Sequence, residues 1–291
     1  MAFKSLEEIC AVCKAENIHF AQAVVCCHCK ENGCSQDAAF GTMGGMWHAM
    51  LEALSSYDAT ERSASGLSGG DGRLFEEYAQ KGQTCCGELS AQMIAAAIKM
   101  AESNACMKRI VASPTAGSCG VLPAVLIPLF YREHIQEEKI IQALFVAAGI
   151  GQVVAERATI SGAEGGCQAE VGTASAMAAG ALVFLRGGNE MQICDAAGFA
   201  LQNVMGLVCD PVAGLVEVPC IKRNVIGVMN ALSAADMALA KLSAHIPADQ
   251  IIDAMEAVGR MLSPDLRETG NGGLALTPAG KSITQKLNQN V

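Results

Sequence analysis

The sequence predicts an all-α fold: a compact, bundle-like helical domain with Gly-rich loops at helix ends forming its site. Two observations carry this. Apolar residues recur at helical spacing through most of the chain, and strand-like alternation is almost absent. Composition agrees, since 51% of the 291 residues are hydrophobic and only 17% charged, which describes a chain that buries a core rather than a disordered one.

Residues 1–56 read as a helical N-terminal segment packed on a main body formed by residues 57–291. Residues 57–87 are the least regular stretch, rich in Gly and Ser, and serve either as a joint or as an ordered loop wrapped on the body. In ELSAQMIAAAIKMAESNACMKR, the residues Leu89, Met93, Ala97, Met100 and Ala101 make one apolar helical stripe. The RIVAS stretch, 109–113, is the one plausible short strand. Pro123 suits the first turn of a helix through VLPAVLIPLF, so Gly117 to Gly120 fall at or just before its N-terminus. Residues 138–157 and 221–243 repeat the helical pattern. Segment 168–185 is small and apolar on nearly every face and belongs at the centre of a bundle.

A net charge of −9 without a Lys/Arg run argues against nucleic acid and against an anionic membrane surface as partners. The most apolar stretches, near 119–130 and 171–185, fall short of a membrane span. MAFKSLEEIC has no apolar core for a signal peptide, which places the protein in the cytoplasm. Fourteen cysteines there stay reduced, favouring thiolate–metal chemistry over disulfides.

Three Gly-rich joints, at 113–120, 161–167 and 209–220, each carry Cys between helices. In SPTAGSCG, the hydroxyls of Ser113, Thr115 and Ser118 beside helix-start amides make either a cradle for a small carboxylate or phosphate, or a Ser-capped helix start. Cys167, Cys209 and Cys220 lie 42 and 11 residues apart, unlike a compact ligand pattern, and by spacing alone could be buried small hydrophobes. By spacing, Cys10, Cys13, Cys26 and Cys29 could assemble a zinc site, but both pairs sit in helical stretches without a knuckle glycine. Among the histidines, His134 has a carboxylate, Glu138, one helical turn away on a stretch that reads as a solvated charged face.

Taken together, SPTAGSCGVLPA, GAEGGCQAEVG, CDPVAGLVEVPCIKRN and GGLALTP, with SASGLSGGDG and NACMKRIVASPTAGSCG upstream, resemble the α-chain family of bacterial iron-sulfur-dependent L-serine dehydratases over roughly residues 60–280. The resemblance implies a [4Fe-4S] cluster on Cys167, Cys209 and Cys220, with one iron free of thiolate as a Lewis acid for conversion of L-serine to pyruvate and ammonia. It assigns Ser113, Thr115, Ala116, Gly117 and Ser118 to the substrate, with Ser65, Ser68 and Gly69 as a second wall. Asn104, Arg109, Lys222, Arg223 and Asn224 would give electrostatic support. It also implies a separate β subunit, because the family's Ser-rich β motif is missing from this chain. The general base is left unassigned, with a histidine of the β chain as candidate, and a homo-oligomer of the α–β pair is a further candidate assembly. The terminal QKLNQNV has no Cys, so the tail thiol of some single-chain members has no counterpart. Three rivals remain. A pyridoxal-phosphate dehydratase is opposed by the helical pattern, and the others are a non-enzymatic iron-sulfur or metal carrier and a related cluster-dependent lyase for another small amino acid.

Overall fold

Small side chains decide which helix takes the centre of this molecule. The computed structural model describes residues 2–289. Its first half holds α1 (Leu6–Glu16), α2 (Phe20–Asn32), α3 (Gln36–Ser55), α4 (Asp71–Gln80), α5 (Glu88–Ala105) and α6 (Val121–Glu133). The second half holds α7 (Glu137–Arg157), α8 (Gly162–Gly165), α9 (Thr173–Leu185), α10 (Glu190–Asn203), α11 (Cys220–Leu239), α12 (Ala248–Met261) and α13 (Pro278–Gln289). A π-helical segment, Gln168–Gly172, runs directly into α9. The all-α expectation holds: no strand occurs among the described residues, and the one β-bridge joins Cys209 to Arg267. Residues 109–112 of the expected strand are irregular, since a helical neighbourhood offers no ladder for their N–H and C=O groups.

α9 is buried from Thr173 to Val183 and packs against α6, α7, α10 and α11. Only small residues allow that many neighbours: a Cβ on Gly180 would stand 2.2 Å from Ile150 Cδ1 of α7. Gly227 of α11 plays the same part, its missing Cβ lying 2.7 Å from Val121 and 3.1 Å from Val171. Polar groups then fix the register of the packed helices. Asn230 donates to Ser175 Oγ (2.9 Å) and to Ala200 O (2.7 Å), and accepts from Asn203 Nδ2 (2.8 Å), tying α11 to both α9 and α10.

The N-terminal helices share this core. Leu6, Ile9, Phe20, Val24, Trp47 and Met50 belong to the same buried cluster as Ile150, Leu182 and Met255. α1 starts on a Ser5 cap, and Asp249 of α12 accepts from the amides of Leu6 (2.8 Å) and Glu7 (3.1 Å), an anion placed where the helix dipole favours it. α7 and the stretch 168–185 are long and apolar enough to cross a membrane, which corrects the sequence expectation that no segment reaches that length. Burial of 67% and 83% of these windows identifies them as core helices of this fold.

Residues 57–70 form an ordered loop closed on the body, followed by α4, which the sequence pattern had not separated from the loop. Buried Glu102 organises it. Its carboxylate accepts from Tyr57 Oη (2.6 Å) and from the amides of Gly69 (3.2 Å), Asp71 (2.9 Å) and Gly72 (3.0 Å).

Asn230→Ala leaves Ser175, Asn203 and Ala200 short of partners inside the core. We expect a loss of about 2 kcal/mol or more in unfolding free energy, read from urea denaturation. A loss under about 0.5 kcal/mol would mean that the apolar packing alone sets this junction.

Candidate functional site

Hydrogen bonds between loops bring the Gly-rich joints together. The amide of Gln168 donates to Leu207 O (2.9 Å), that of Cys209 to Leu266 O (2.9 Å), and that of Glu268 to Cys209 O (2.8 Å). Buried Gln168 adds three more, donating to Gly165 O (3.0 Å) and Met255 O (3.1 Å) and accepting from the amide of Gly206 (2.8 Å). Gly166 makes the approach possible. Its φ is +77°, and a Cβ would stand 2.7 Å from Leu262 and 3.0 Å from Leu207 O.

Cys167 enters from the π-helical segment, Cys209 from the extended strip beside Arg267, and Cys220 as the first residue of α11. All three thiols are buried. The ligand atoms of Cys167, Cys209 and Glu170 lie within 4.8 Å of one another. Cys220 stands outside that tight group but feels the charge of Cys167 and Glu170. The Cys209 thiol donates to Cys167, and with the Arg223 guanidinium nearby this holds Cys167 below the usual thiol range. Cys209, as donor and by burial, is raised, and burial pushes Cys220 up to about 12. Burial also raises Glu170, opposed by the Thr115 hydroxyl.

Arg223 is positioned from a distance. It donates to Val208 O (2.7 Å) and to Asp210 Oδ1 (2.7 Å), while Asp210 Oδ2 accepts from the amide of Leu274 (2.8 Å). Gly273 must lack a Cβ, which would sit 2.2 Å from that same carboxylate oxygen. The GGLALTP turn therefore clamps Asp210, Asp210 orients Arg223, and Arg223 faces Cys167.

The 113–120 loop is pinned by Asn224, which donates to Gly117 O (2.8 Å) and Cys220 O (3.0 Å) and accepts from the amide of Gly120 (2.9 Å). This changes the expected cradle. The amides of Cys119, Gly120 and Val121 are spent on Ala116 O, Asn224 and Ser118 O, and α6 has no side-chain cap, so neither the helix-start amides nor a capping Ser describes the loop. What it offers is hydroxyls. Thr115 Oγ1 lies 3.0 Å from Ser118 Oγ, and the buried Ser113 Oγ has no partner. Gly117 backs onto Glu170, with 3.4 Å between its missing Cβ and Oε1. Ala116 sits between Thr115 and Gly117 on the same loop.

The 63–70 loop joins through Glu217, three residues before Cys220. Its carboxylate accepts from Ser63 Oγ (2.7 Å) and Ser65 Oγ (2.8 Å), and Ser68 O accepts from the amide of Ser63 (2.9 Å). Gly69, with φ of +125°, ties the loop to Glu102.

Of the five support residues, Arg223 and Asn224 stand among the joints. Arg109 and Lys222 do not: both are exposed, paired with Glu52 (3.3 Å) and with Asp71. Asn104 is half-buried near the C-terminal end of α5, two residues after Glu102. The N-terminal thiols form no metal group among the described residues. Cys10 pairs instead with Cys194 (Sγ–Sγ 3.4 Å), and Cys26 accepts from Gln22 Nε2 (3.3 Å). His134 caps α6 in a left-handed conformation, and the imidazole facing a carboxylate is His48, 2.9 Å from Glu137. Sequence reasoning missed Glu102, Glu170, Asp210 and Glu217. Their signal was a carboxylate inside an otherwise apolar or Gly-rich motif, as in GAEGGCQAEVG and LVEVPC.

A groove of about 1010 Å³ between α4, α5 and α6 lies apart from these joints, with Ala91, Ala95, Ile127 and Pro128 among its lining and Lys99 bonded to Glu76 (2.5 Å).

A family model described as serine dehydratase alpha chain matches residues 7–275. The chain is 41% identical over 285 residues to a Bacillus subtilis protein named "Probable L-serine dehydratase, alpha chain", covering 98% of this chain and 95% of that one. It is 47% identical over 207 residues to the L-serine dehydratase, alpha chain, of Peptoniphilus asaccharolyticus, 71% of each chain. Against L-serine dehydratase 1 of Escherichia coli it is 45% identical over 185 residues, 62% of this chain but 40% of that longer protein.

Glu102→Gln should loosen the 57–72 loop. Losing charge-assisted bonds worth about 1.5–3 kcal/mol speeds amide exchange at Gly69, Asp71 and Gly72 by about 10-fold or more. Unchanged protection would mean that packing holds the loop.

Proposed function

The chain belongs to the serine dehydratase alpha chain family, and on that premise we propose that it is the α subunit of an L-serine dehydratase, an ammonia-lyase releasing pyruvate and ammonia. The observation that carries the reading is that buried Cys167 and Cys209, from separate joints, stand within 4.8 Å of each other, with buried Cys220 close enough to feel the charge of Cys167. The donor set fits a cluster: no disulfide ties up a cysteine among the described residues, the three thiols are shielded from water, and a guanidinium stands beside Cys167, the thiol of the three whose pKa is lowered. A [4Fe-4S] cluster on Cys167, Cys209 and Cys220 supplies, when bound, a Lewis-acidic iron that makes hydroxide a better leaving group.

This chain's residues do the rest of the positioning. Ser113 Oγ, buried without a partner, and the Thr115 and Ser118 hydroxyls supply donors for the substrate carboxylate, while Ala116 and Gly117 keep the loop low enough for it to approach. Ser65, Ser68 and Gly69 wall the opposite side, held by Glu217 and Glu102. Arg223 offsets the negative charge that the thiols gather, and Asn224 keeps the substrate loop on α11. Asn104 belongs to the same support through the α5 end.

The proton acceptor comes from a β chain in this reading. Among the described residues no histidine joins the metal-ligating group with the thiols, and the E. coli relative extends well beyond the part this chain matches. Residues 1–56 then serve as a helical segment packed on a catalytic unit of 57–291. Cysteines without a disulfide among the described residues suit a cytoplasmic location.

After anaerobic reconstitution, Cys167→Ala, Cys209→Ala and Cys220→Ala should each fall from about four irons per chain to near none, while Cys10→Ala and Cys13→Ala keep theirs. Full iron and sulfide in any of the first three would overturn the ligand assignment. Ser113→Ala or Thr115→Ala should raise the KM for L-serine about tenfold, the weight of one lost hydrogen bond, with iron content unchanged. Loss of iron instead would make the loop structural.

A further inference from the structure

We infer that Glu170 is a fourth protein donor to the metal centre, its carboxylate standing beside Cys167 and Cys209 as the resting ligand of the iron that no thiolate holds, giving way when substrate binds there. The inference rests on the cluster reading above and extends it to a residue that reading does not use.

Position comes first. Glu170 follows Cys167 by three residues in the π-helical segment, whose backbone is fixed by the four hydrogen bonds of Gln168. Among the described residues, Cys167, Glu170 and Cys209 form the one group of three or more His, Cys, Asp or Glu with ligand atoms within 4.8 Å. Two glycines leave room for the carboxylate. A Cβ at Gly162 would stand 2.5 Å from Glu170 Oε2 and 3.1 Å from Cys209 Sγ, and one at Gly117 would stand 3.4 Å from Oε1. A side chain at 162 would displace either the carboxylate or the thiol.

The other carboxylates near these loops separate Glu170 from a merely structural role. Both oxygens of Asp210 are taken, by Arg223 and by the amide of Leu274. Those of Glu217 are taken by Ser63 and Ser65, and those of Glu102 by Tyr57 and three amides. Among the described residues Glu170 has one hydrogen-bond partner, the Thr115 hydroxyl, and no cation of its own, because Arg223 is engaged by Asp210, Val208 O and Cys167. Glu268 adds a second negative group facing both Glu170 and Cys220. A half-buried carboxylate among thiols, with so little compensation, calls for a cation. Borderline divalent ions accept thiolate and carboxylate together, and iron-sulfur clusters accept a non-thiolate donor on one iron.

The test uses the full-length apoprotein and Co(II) under anaerobic conditions, comparing wild type with Glu170→Gln. Wild type should bind at least about tenfold more tightly, and the variant should keep its thiolate-to-cobalt charge-transfer bands while its d–d bands weaken as water replaces the carboxylate. Equal affinity with identical spectra would overturn the inference. After reconstitution with iron and sulfide and brief oxidation, Glu170→Gln should retain about three irons per chain where wild type retains about four. Equal retention would likewise count against Glu170 while leaving the three-thiol cluster standing. A wild type that takes up no iron and sulfide but shows the Glu170-dependent cobalt difference would sink the cluster reading alone. A thermal melt detects a misfolded glutamine variant. Glu170→Asp, which keeps the carboxylate, then carries the comparison and should bind Co(II) nearly as well as wild type.

Discussion

Gathering negative charge in a dry place is the constraint on which the rest of this structure depends. Thiolates and a carboxylate drawn together away from water repel one another, and a low local dielectric magnifies the effect. The protein answers with one guanidinium, Arg223, and with a hydrogen bond from Cys209 that lowers the pKa of Cys167 and raises that of Cys209. Everything around the joints serves that arrangement: Asp210 keeps Arg223 in place, Asn224 keeps the neighbouring loop down, and Gln168 locks the backbone that presents Cys167. Charge and support come from side chains far apart in sequence, so the site can exist only once the helices have packed.

That packing relies on small residues. α9 can touch four other helices because Gly180 and its alanines let backbones approach, and Asn230 converts the approach into a defined register through bonds to α9 and α10. With α9, α10 and α11 fixed, the start of α11 and the π-helical start of α9 are fixed too. Those two starts carry Cys220 and Cys167. The stability of the core and the geometry of the site are one problem solved by the same glycines.

Much of the fold was legible in the sequence because its signal is local. The stripe through Met93, Ala97 and Met100 is buried as its period requires, and the uniformly small 168–185 segment lies at the centre. α4 escaped because its ten residues follow a Gly/Ser-rich stretch and its start is set by Glu102, thirty residues away. The joints were legible as joints, yet spacing could not group Cys167 with Cys209 and Cys220. Resemblance did that. Adjacent basic residues misled for a geometric reason: on a helix, Lys222 and Arg223 point about 100° apart, so one reaches Asp210 in the interior and the other Asp71 at the surface. The buried carboxylates were invisible because their partners, the amides of residues 69–72 and Leu274 and the hydroxyls of Ser63 and Ser65, come from distant parts of the chain.

The grip of Leu274 on Asp210 also sets an order of events. During synthesis, Cys167 and Cys209 leave the ribosome well before Leu274 does, and until then Asp210, which orients Arg223, lacks its backbone clamp. A nascent chain therefore carries its sulfur atoms without their fixed counter-charge. Among these groups the counter-charge is thus the last to gain its full support, after the sulfur atoms it faces.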